Sequence, residues 1–534
     1  MGIIDMLIIS FSFLSSTLPP NVVIILIISV FLSYKWLSNQ KASKQFPLPP
    51  GPKPWPVVGC FPQMLRNKPV FRWMINLMEE MNTEIACFRL GGTNVISVTS
   101  PEVAREILKK QDTVFASRPA CASAELISSN YLISLVSPLG DQWKKMRRVL
   151  TSHVLSPNTL NWLGHKRAAE ADHLVRYIYN QCRNAAGCGV VDVRAAGRHF
   201  CGNVIRQMVF SKRFFGAGTE DGGPGVEEEE HIDATFGVLA YVYSFGVSDY
   251  FPWLRMFDLD GHRKALKKAV EGVRKYQDPE VDKRIKMWND GTKTEQEDIL
   301  DVLIKLKDID GRRPLLTPEE IKAQILELMI GIVDNPSNAA EWVLAEMLNQ
   351  PEILRKVMEE LDNVVGRERL VQEHDLPRLN YLNACIREAF RLHPFGDFAP
   401  PHLCTSNTIV SNYFIPKGSH VIISRPGLGR NPKVWEEPLK FKPERHLKND
   451  GSEVSFVDPE LRILSFSTGR RGCPGIQLGS LVSSMLLARL VQGFDWVQCG
   501  RINLRESKHN LLLARPLHAL AKPRLPHYIY SSMA

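Results

Sequence analysis

The ten cysteines are scattered (Cys60, Cys87, Cys121, Cys182, Cys188, Cys201, Cys385, Cys404, Cys473 and Cys499) and show no C-x-x-C spacing. That excludes a zinc ribbon or a thioredoxin-type redox pair, and leaves most of them as small apolar residues. There is no Walker loop, no G-x-G-x-x-G after a strand-like run and no internal repeat, so no nucleotide, flavin or nicotinamide site of familiar type and no solenoid is expected. Charge is nearly absent between Ile3 and Trp36, where only Asp5 and Lys35 occur. The same stretch has no basic residue ahead of its apolar run and no small-x-small site after it, which argues against a cleaved signal peptide.

What is present is a globular composition: 534 residues, 44% hydrophobic and 23% charged, with a formal charge of +9. Disorder and collagen are excluded. A typical domain of roughly 150 residues would suggest three or four domains, but no linker divides the chain. The surplus of positive charge alone fits nucleic acid, an anionic membrane or an acidic protein partner. The apolar start chooses the membrane: about 20 apolar residues span a bilayer, so residues 1–37 are expected to form an uncleaved transmembrane anchor. Lys35, Lys41 and Lys44 then hold the C-terminal side in the cytosol. Residues 38–56 form a Pro-rich spacer, stiff and extended, ahead of a body over 57–534.

In the body, helical periodicity dominates from Arg72 onward, interrupted by short strand-like runs such as Asn94 to Val98 and Val421 to Ser424. Thr317-Pro318-Glu319-Glu320 combines a capping box with proline at the first helical position, opening a helix that runs to about Asn349. Pro336 lies inside it and should kink it by freeing the carbonyl of Ile332. The Gly- and Glu-rich stretch Gly216 to Glu230 is expected to be an exposed loop.

The most informative run is Phe466-Ser467-Thr468-Gly469-Arg470-Arg471-Gly472-Cys473-Pro474-Gly475, followed by an apolar helical pattern. A cysteine just ahead of a helix, with proline in its first turn, gains backbone donors and the positive end of the dipole, which favours thiolate. With Phe466 and Arg471 at fixed offsets this suits a haem iron: a thiolate ligand, donors to tune it and a cation for a propionate.

The run resembles the haem-ligand motif F-x-x-G-x-R-x-C-x-G of the cytochrome P450 family at every fixed position. Three further marks follow the family order. Glu388-Ala389-Phe390-Arg391 resembles E-x-x-R, whose two charged residues share a helix face. Pro443-Glu444-Arg445 resembles the segment whose arginine joins that pair in a structural charge network. Trp143 and Arg147 fit W-x-x-x-R, whose Trp and Arg contact propionates, and His402 takes the place of a further propionate contact. The resemblance implies a mainly α fold with small β-sheets, one haem-binding domain behind the anchor, and haem b ligated by Cys473. It also implies an endoplasmic reticulum membrane location, single-pass and facing the cytosol, with NADPH-derived electrons from a separate reductase; Lys144, Lys145, Arg148, Lys442 and Arg470 suit either a basic face for that acidic flavoprotein or an ordinary solvated charged face.

One departure is specific. The family's mid-helix pattern ends in a threonine that serves proton delivery, whereas here Gly331-Ile332-Val333-Asp334-Asn335-Pro336-Ser337-Asn338 keeps the acid as Asp334 and puts Asn335 in the threonine's place. That run resembles the plant amino-acid N-monooxygenases. It implies two N-hydroxylations of an amino acid using O2, then loss of water and carbon dioxide to an aldoxime, in glucosinolate or cyanogenic glucoside biosynthesis. Asp334, Asn335 and Ser337 are the implied catalytic residues, with His402 as a further polar donor. Leu126, Ile127, Leu132, Ile133 and Leu135, in the stretch Arg118 to Ser137, suit an apolar substrate side chain or equally a core. Phe395-Gly396-Asp397-Phe398 departs from that group's usual segment, so Asp397 bears on side-chain preference. The competing readings are a P450 hydroxylating carbon in a terpenoid or phenolic, a rearranging haem-thiolate enzyme needing no NADPH, and a haem-binding membrane protein. No nucleic-acid partner is implied.

Overall fold

The computed structural model describes residues 46–185, 189–308, 310–448, 450–498 and 500–532. The expected anchor, residues 1–37, lies outside the described residues. Among those described, no helix is long and apolar enough to cross a membrane. Residues 50 and 51 of the spacer pack on a strand edge: Cys87 donates its N–H to the Pro50 carbonyl at 2.8 Å. A Cβ on Gly51 would lie 1.9 Å from the Cys87 oxygen, so only glycine permits that approach.

The fold is mainly helical. The helices that position the site are α1 (Asp141–Val149), α2 (Gly164–Asn184), α3 (Val193–Phe210), α4 (Val226–Tyr241), α5 (His262–Asn289), α6 (Pro318–Ile332), α7 (Asp334–Asn349), α8 (Pro351–Val364), α9 (Asn380–Leu392) and α10 (Ile476–Gly493). Three small sheets accompany them. β1 (Ile85–Leu90), β2 (Thr93–Val98), β7 (His420–Ile423) and β4 (His402–Leu403) form one in that order, with β2 and β7 parallel. β3 (Gly189–Asp192), β9 (His518–Pro523) and β8 (Phe494–Val497) form the second. The hairpin β5 (Thr408–Val410) and β6 (Tyr413–Ile415) makes a small unit of its own with residues 46–49, where Phe414 N–H donates to the Pro47 carbonyl at 2.8 Å.

The long helix starts as the sequence indicates. Thr317 accepts from the Glu320 N–H, and the Glu320 carboxylate accepts from the Thr317 N–H, which closes the capping box. Pro336 has no N–H for the Ile332 carbonyl, and the ladder is interrupted at Val333, where α6 gives way to α7. Val333 keeps helical dihedrals (φ −71°, ψ −41°), so the helix bends without ending. Beyond the bend α7 is packed on several sides, against α3, α9 and α10, and Trp342 at its middle is fully buried. A Cβ on Gly197 of α3 would lie 3.2 Å from the Ser337 Cβ, so a small residue sets the spacing of the two helices.

The Gly216 to Glu230 stretch corrects the expectation of an exposed loop. Its acidic end is the first turn of α4, where carboxylates meet the positive end of the helix dipole. Glu228 is buried: its Oε1 accepts from Arg206 at 2.6 Å and lies 2.7 Å from His199 Nδ1. Runs of glutamate signal solvent only when no buried cation waits for one of them.

Candidate functional site

The cysteine loop is built by two close returns of the chain. Cys473 donates its N–H to the Phe466 carbonyl at 2.7 Å, and Gly469, at φ +70°, turns the chain where a Cβ would lie 2.6 Å from the Leu108 oxygen. Phe466 is fixed edge-on against Phe390 of α9, centroids 5.8 Å apart. Helix α10 begins at Ile476 behind Gly475, so Pro474 sits in the turn before the helix and not in its first turn. Cys473 is exposed among mostly buried cysteines, yet burial raises its thiol pKa; the Gly475 N–H, Arg147 and Arg425 pull the other way without prevailing. Accessible and desolvated at once, it lines an internal space. The expected thiolate therefore needs more than the helix end to form: a cation at sulfur would supply it.

Helix α6 lines that space too. A Cβ on Gly331 would meet nothing within 4 Å, and Glu327, one turn earlier on the same face, is near enough to raise the Cys473 pKa further. Of the mid-helix residues, Asn335 donates Nδ2–H to the Gly331 carbonyl at 3.3 Å and stays half-buried. Ser337 is buried, its hydroxyl turned back onto the Val333 and Asp334 carbonyls at 2.8 and 2.9 Å. Asp334 faces α3: burial lifts its pKa to about 6 against the opposing pull of Arg198 and Arg194. Its Oδ1, and the Oδ1 of Asn338 one turn on, are enclosed without a hydrogen-bond partner.

Cations gather at the edge of the same space. Arg471 bonds the carbonyls of Ala116, Ser134 and Ser137 at 2.5, 3.0 and 2.7 Å, and its guanidinium lies 4.6 Å from the Trp143 ring centroid. Arg147 bonds the Gly472 carbonyl at 2.6 Å, tying α1 to the cysteine loop. His402 is buried with Nδ1 2.8 Å from the Phe115 carbonyl, and desolvation with Arg118 and Arg471 nearby holds its pKa well below the usual histidine value. Sequence reasoning missed Arg118, which is buried and bonds the carbonyls of Leu135, Pro400 and Pro401 at 3.2, 2.7 and 2.9 Å. It also missed Arg425, bonded to the Leu464, Phe395 and Phe398 carbonyls. No spacing rule pointed to either. Among the described residues, none of these four arginines is paired with a carboxylate.

The aliphatic residues of the Arg118 to Ser137 stretch divide. Ile127 and Ile133 are core, whereas Leu126, Leu132 and Leu135 are only partly covered. Asp397 has Glu506, Arg425 and Arg72 as its charged neighbours, and burial lifts its pKa to about 7. Behind the site, Glu388 binds Arg391 at 2.8 Å and Arg445 at 3.0 Å, as the spacing suggested; His446 at 2.7 Å completes the set.

An accessible thiol, an open helix face and unpaired arginines at the rim suit a flat iron macrocycle bearing two carboxylates. The cytochrome P450 family model matches residues 49–521 of the chain. The chain is a cytochrome P450. Membership carries with it a haem whose iron takes a thiolate, and electrons delivered by a redox partner. This P450 is 54% identical over 518 residues to isoleucine N-monooxygenase 1 of Lotus japonicus, covering 96% of each chain. It is 55% identical over 492 residues to tyrosine N-monooxygenase of Sorghum bicolor (91% of this chain, 88% of the relative). It is 54% identical over 495 residues to phenylalanine N-monooxygenase of Arabidopsis thaliana (91% and 93%). Nearly equal identity to enzymes named for three different side chains separates the reaction from the choice of amino acid.

Proposed function

We propose that this P450 is an amino-acid N-monooxygenase that hydroxylates the α-nitrogen twice and releases the aldoxime after loss of water and carbon dioxide. The observation that carries this reading is identity above 50%, over nearly the whole chain, to enzymes named as N-monooxygenases of several amino acids. The replacement of the mid-helix threonine by Asn335 beside Pro336 supports it. An apolar substrate side chain fits the partly covered Leu126, Leu132 and Leu135.

When bound, the haem supplies oxygen activation. In this reading Cys473 would be its ligand, with Phe466 beside the loop, while Arg118, Arg147 and Arg471, the last stacked on Trp143, would hold its carboxylates; His402, whose Nδ1 is spent on the Phe115 carbonyl, would join them as the protonated ring. Asp334 and Asn335 follow the bend, and the enclosed oxygens of Asp334 and Asn338 leave acceptors for water and so a route for protons. Ser337 acts by packing, since its hydroxyl is bonded back to its own helix. The apolar run Ile3 to Trp36 and the lysines after it support an anchor in the endoplasmic reticulum with the body in the cytosol, and NADPH enters through a membrane-bound reductase. The body is read as one catalytic domain over 57–534.

Membranes containing the protein, reductase and NADPH, incubated with individual amino acids, should yield an aldoxime detectable by mass spectrometry from at least one of them. Active, reducible protein that gives none overturns the reading.

A further inference from the structure

N-hydroxylation needs a nitrogen lone pair, but an amino acid near neutral pH carries an ammonium group. Glu327 is placed to resolve this. It shares its helix face with Gly331, whose side opens on empty space, and it is half-buried where most neighbours on α6 are fully buried. Its Oε1 accepts from Ser134 Oγ at 2.7 Å, and its Oε2 from the Ser134 N–H at 2.9 Å and Gln324 Nε2 at 3.1 Å. All these donors are neutral. The charged groups within its field are Arg147 of α1 together with Arg471 and Cys473 of the cysteine loop, and neither arginine forms an ion pair with it. A carboxylate held rigidly by neutral donors in an enclosed space, with no cation against it, is an incomplete ion pair.

Resting on the N-monooxygenase reading, we infer that Glu327 is the partner of the substrate's α-ammonium, binding the cationic end of the zwitterion and accepting one of its protons. The ammonium N–H bond breaks and a carboxyl O–H bond forms on Glu327, leaving a neutral amine; no electrons change hands. The intermediate of the second hydroxylation is different. A nitrogen already bearing oxygen is a much weaker base, is unprotonated near neutral pH and needs no such partner. Glu327 therefore matters to the first hydroxylation and far less to the second.

The competing role is a clamp joining the Arg118 to Ser137 stretch to α6, and two variants of the full-length protein in membranes separate the roles. Glu327→Gln keeps an oxygen for Ser134 but loses the charge, whereas Ser134→Ala loses the clamp hydroxyl but keeps the charge. With the reduced carbon monoxide spectrum retained, Glu327→Gln should weaken amino-acid binding by spectral titration about tenfold or more, the usual effect of removing a charged hydrogen bond. Binding of the corresponding acid lacking the amino group should be unchanged. Conversion of the amino acid should fall at least about tenfold further than conversion of the N-hydroxyamino acid, and recover as pH rises and free amine accumulates. Ser134→Ala, which keeps the charge but loses one donor to it, should change conversion of the two substrates by the same factor. Equal losses on both substrates in Glu327→Gln, or a Ser134→Ala variant that reproduces the selective loss on the amino acid, would overturn the inference while leaving the function standing. Wild-type protein that makes no aldoxime from any amino acid overturns both.

Discussion

The clusters of buried charge around Glu388 and around Cys473 in this P450 are finished to different degrees. Around Glu388 every charge has its opposite. Arg391, fully buried, gives two hydrogen bonds to Glu388 at 2.8 Å and directs its other donors to the Gly429, Pro438 and Lys440 carbonyls. Arg445 and His446 take the remaining sides of the carboxylate. Although burial opposes ionisation, these partners hold the Glu388 pKa at about 2. Around Cys473 the cations meet only carbonyl dipoles, and burial lowers the Arg118 pKa to about 10 and that of Arg471 to about 9. A cluster whose cations all reach a carboxylate serves the fold, whereas one whose arginines reach none is shaped for an anion the chain does not supply.

The largest test removes the thiol. Cys473→Ser should abolish the thiolate signature of the reduced carbon monoxide spectrum and all turnover, while thermal unfolding of the haem-free protein stays within a few degrees of wild type. A retained signature would move the ligand elsewhere.

Breaking each cluster should then give opposite results. Glu388→Gln leaves Arg391 buried without a counter-charge, a loss of about 3–5 kcal/mol for pairs of this kind, and should lower the yield of folded protein whether or not haem is supplied. Arg471→Met removes an uncompensated cation, so haem content should fall while the haem-free protein melts no lower than wild type. Equal destabilisation by both variants would erase the distinction. Acid provides the same contrast. Because the folded pKa of Glu388 lies below its ordinary 4.5, its contribution is fully present above pH 4.5 and is lost as pH falls towards about 2. The acid-induced fall in stability over that window should be shallower in Glu388→Gln, as followed by denaturant midpoints.

The finished cluster was the easier one to foresee. The i,i+3 spacing of Glu388 and Arg391 dictates a pair, and the capping box of Thr317 and Glu320 dictates where α6 starts; both are local in sequence. Pro336 likewise announced the bend. Arg118, Arg425 and Glu327 went unseen because their roles depend on which carbonyls and hydroxyls surround them, contributed by segments up to 283 residues away, as for Arg118 and Pro401. Glu228 failed for the same reason in reverse: it belongs to a run that looks solvated, and its buried partners Arg206 and His199 come from another helix. Ser337 was legible as a polar residue, but its bonds to the Val333 and Asp334 carbonyls were not, since a hydroxyl that bonds its own helix looks the same in sequence as one that faces a ligand.

At the bend, Asn335→Thr should slow amino-acid conversion several-fold while leaving haem content unchanged, because Asn335 borders the open face of α6 and touches no residue of the cation cluster. Turnover identical to wild type would confine Asn335 to bending the helix.

The smallest effect separates paired from unpaired charge on the surface of α1. Lys144 and Arg148 are exposed, and the ion pair of Lys144 with Asp141 at 3.1 Å involves two solvated groups, so both cations can meet an acidic partner. Lys145 was expected to act with them, but its ammonium lies 2.8 Å from the buried Glu320 carboxylate and thus belongs to the cap of α6. Neutralising Lys144 and Arg148 should slow reduction by the reductase a few-fold and flatten its dependence on salt, with melting unchanged. Lys145→Gln should instead lower the melting temperature and leave the salt dependence as it was. If Lys145→Gln behaves like the other two, the Glu320 contact does not hold in the working enzyme, and all three residues belong to the docking face.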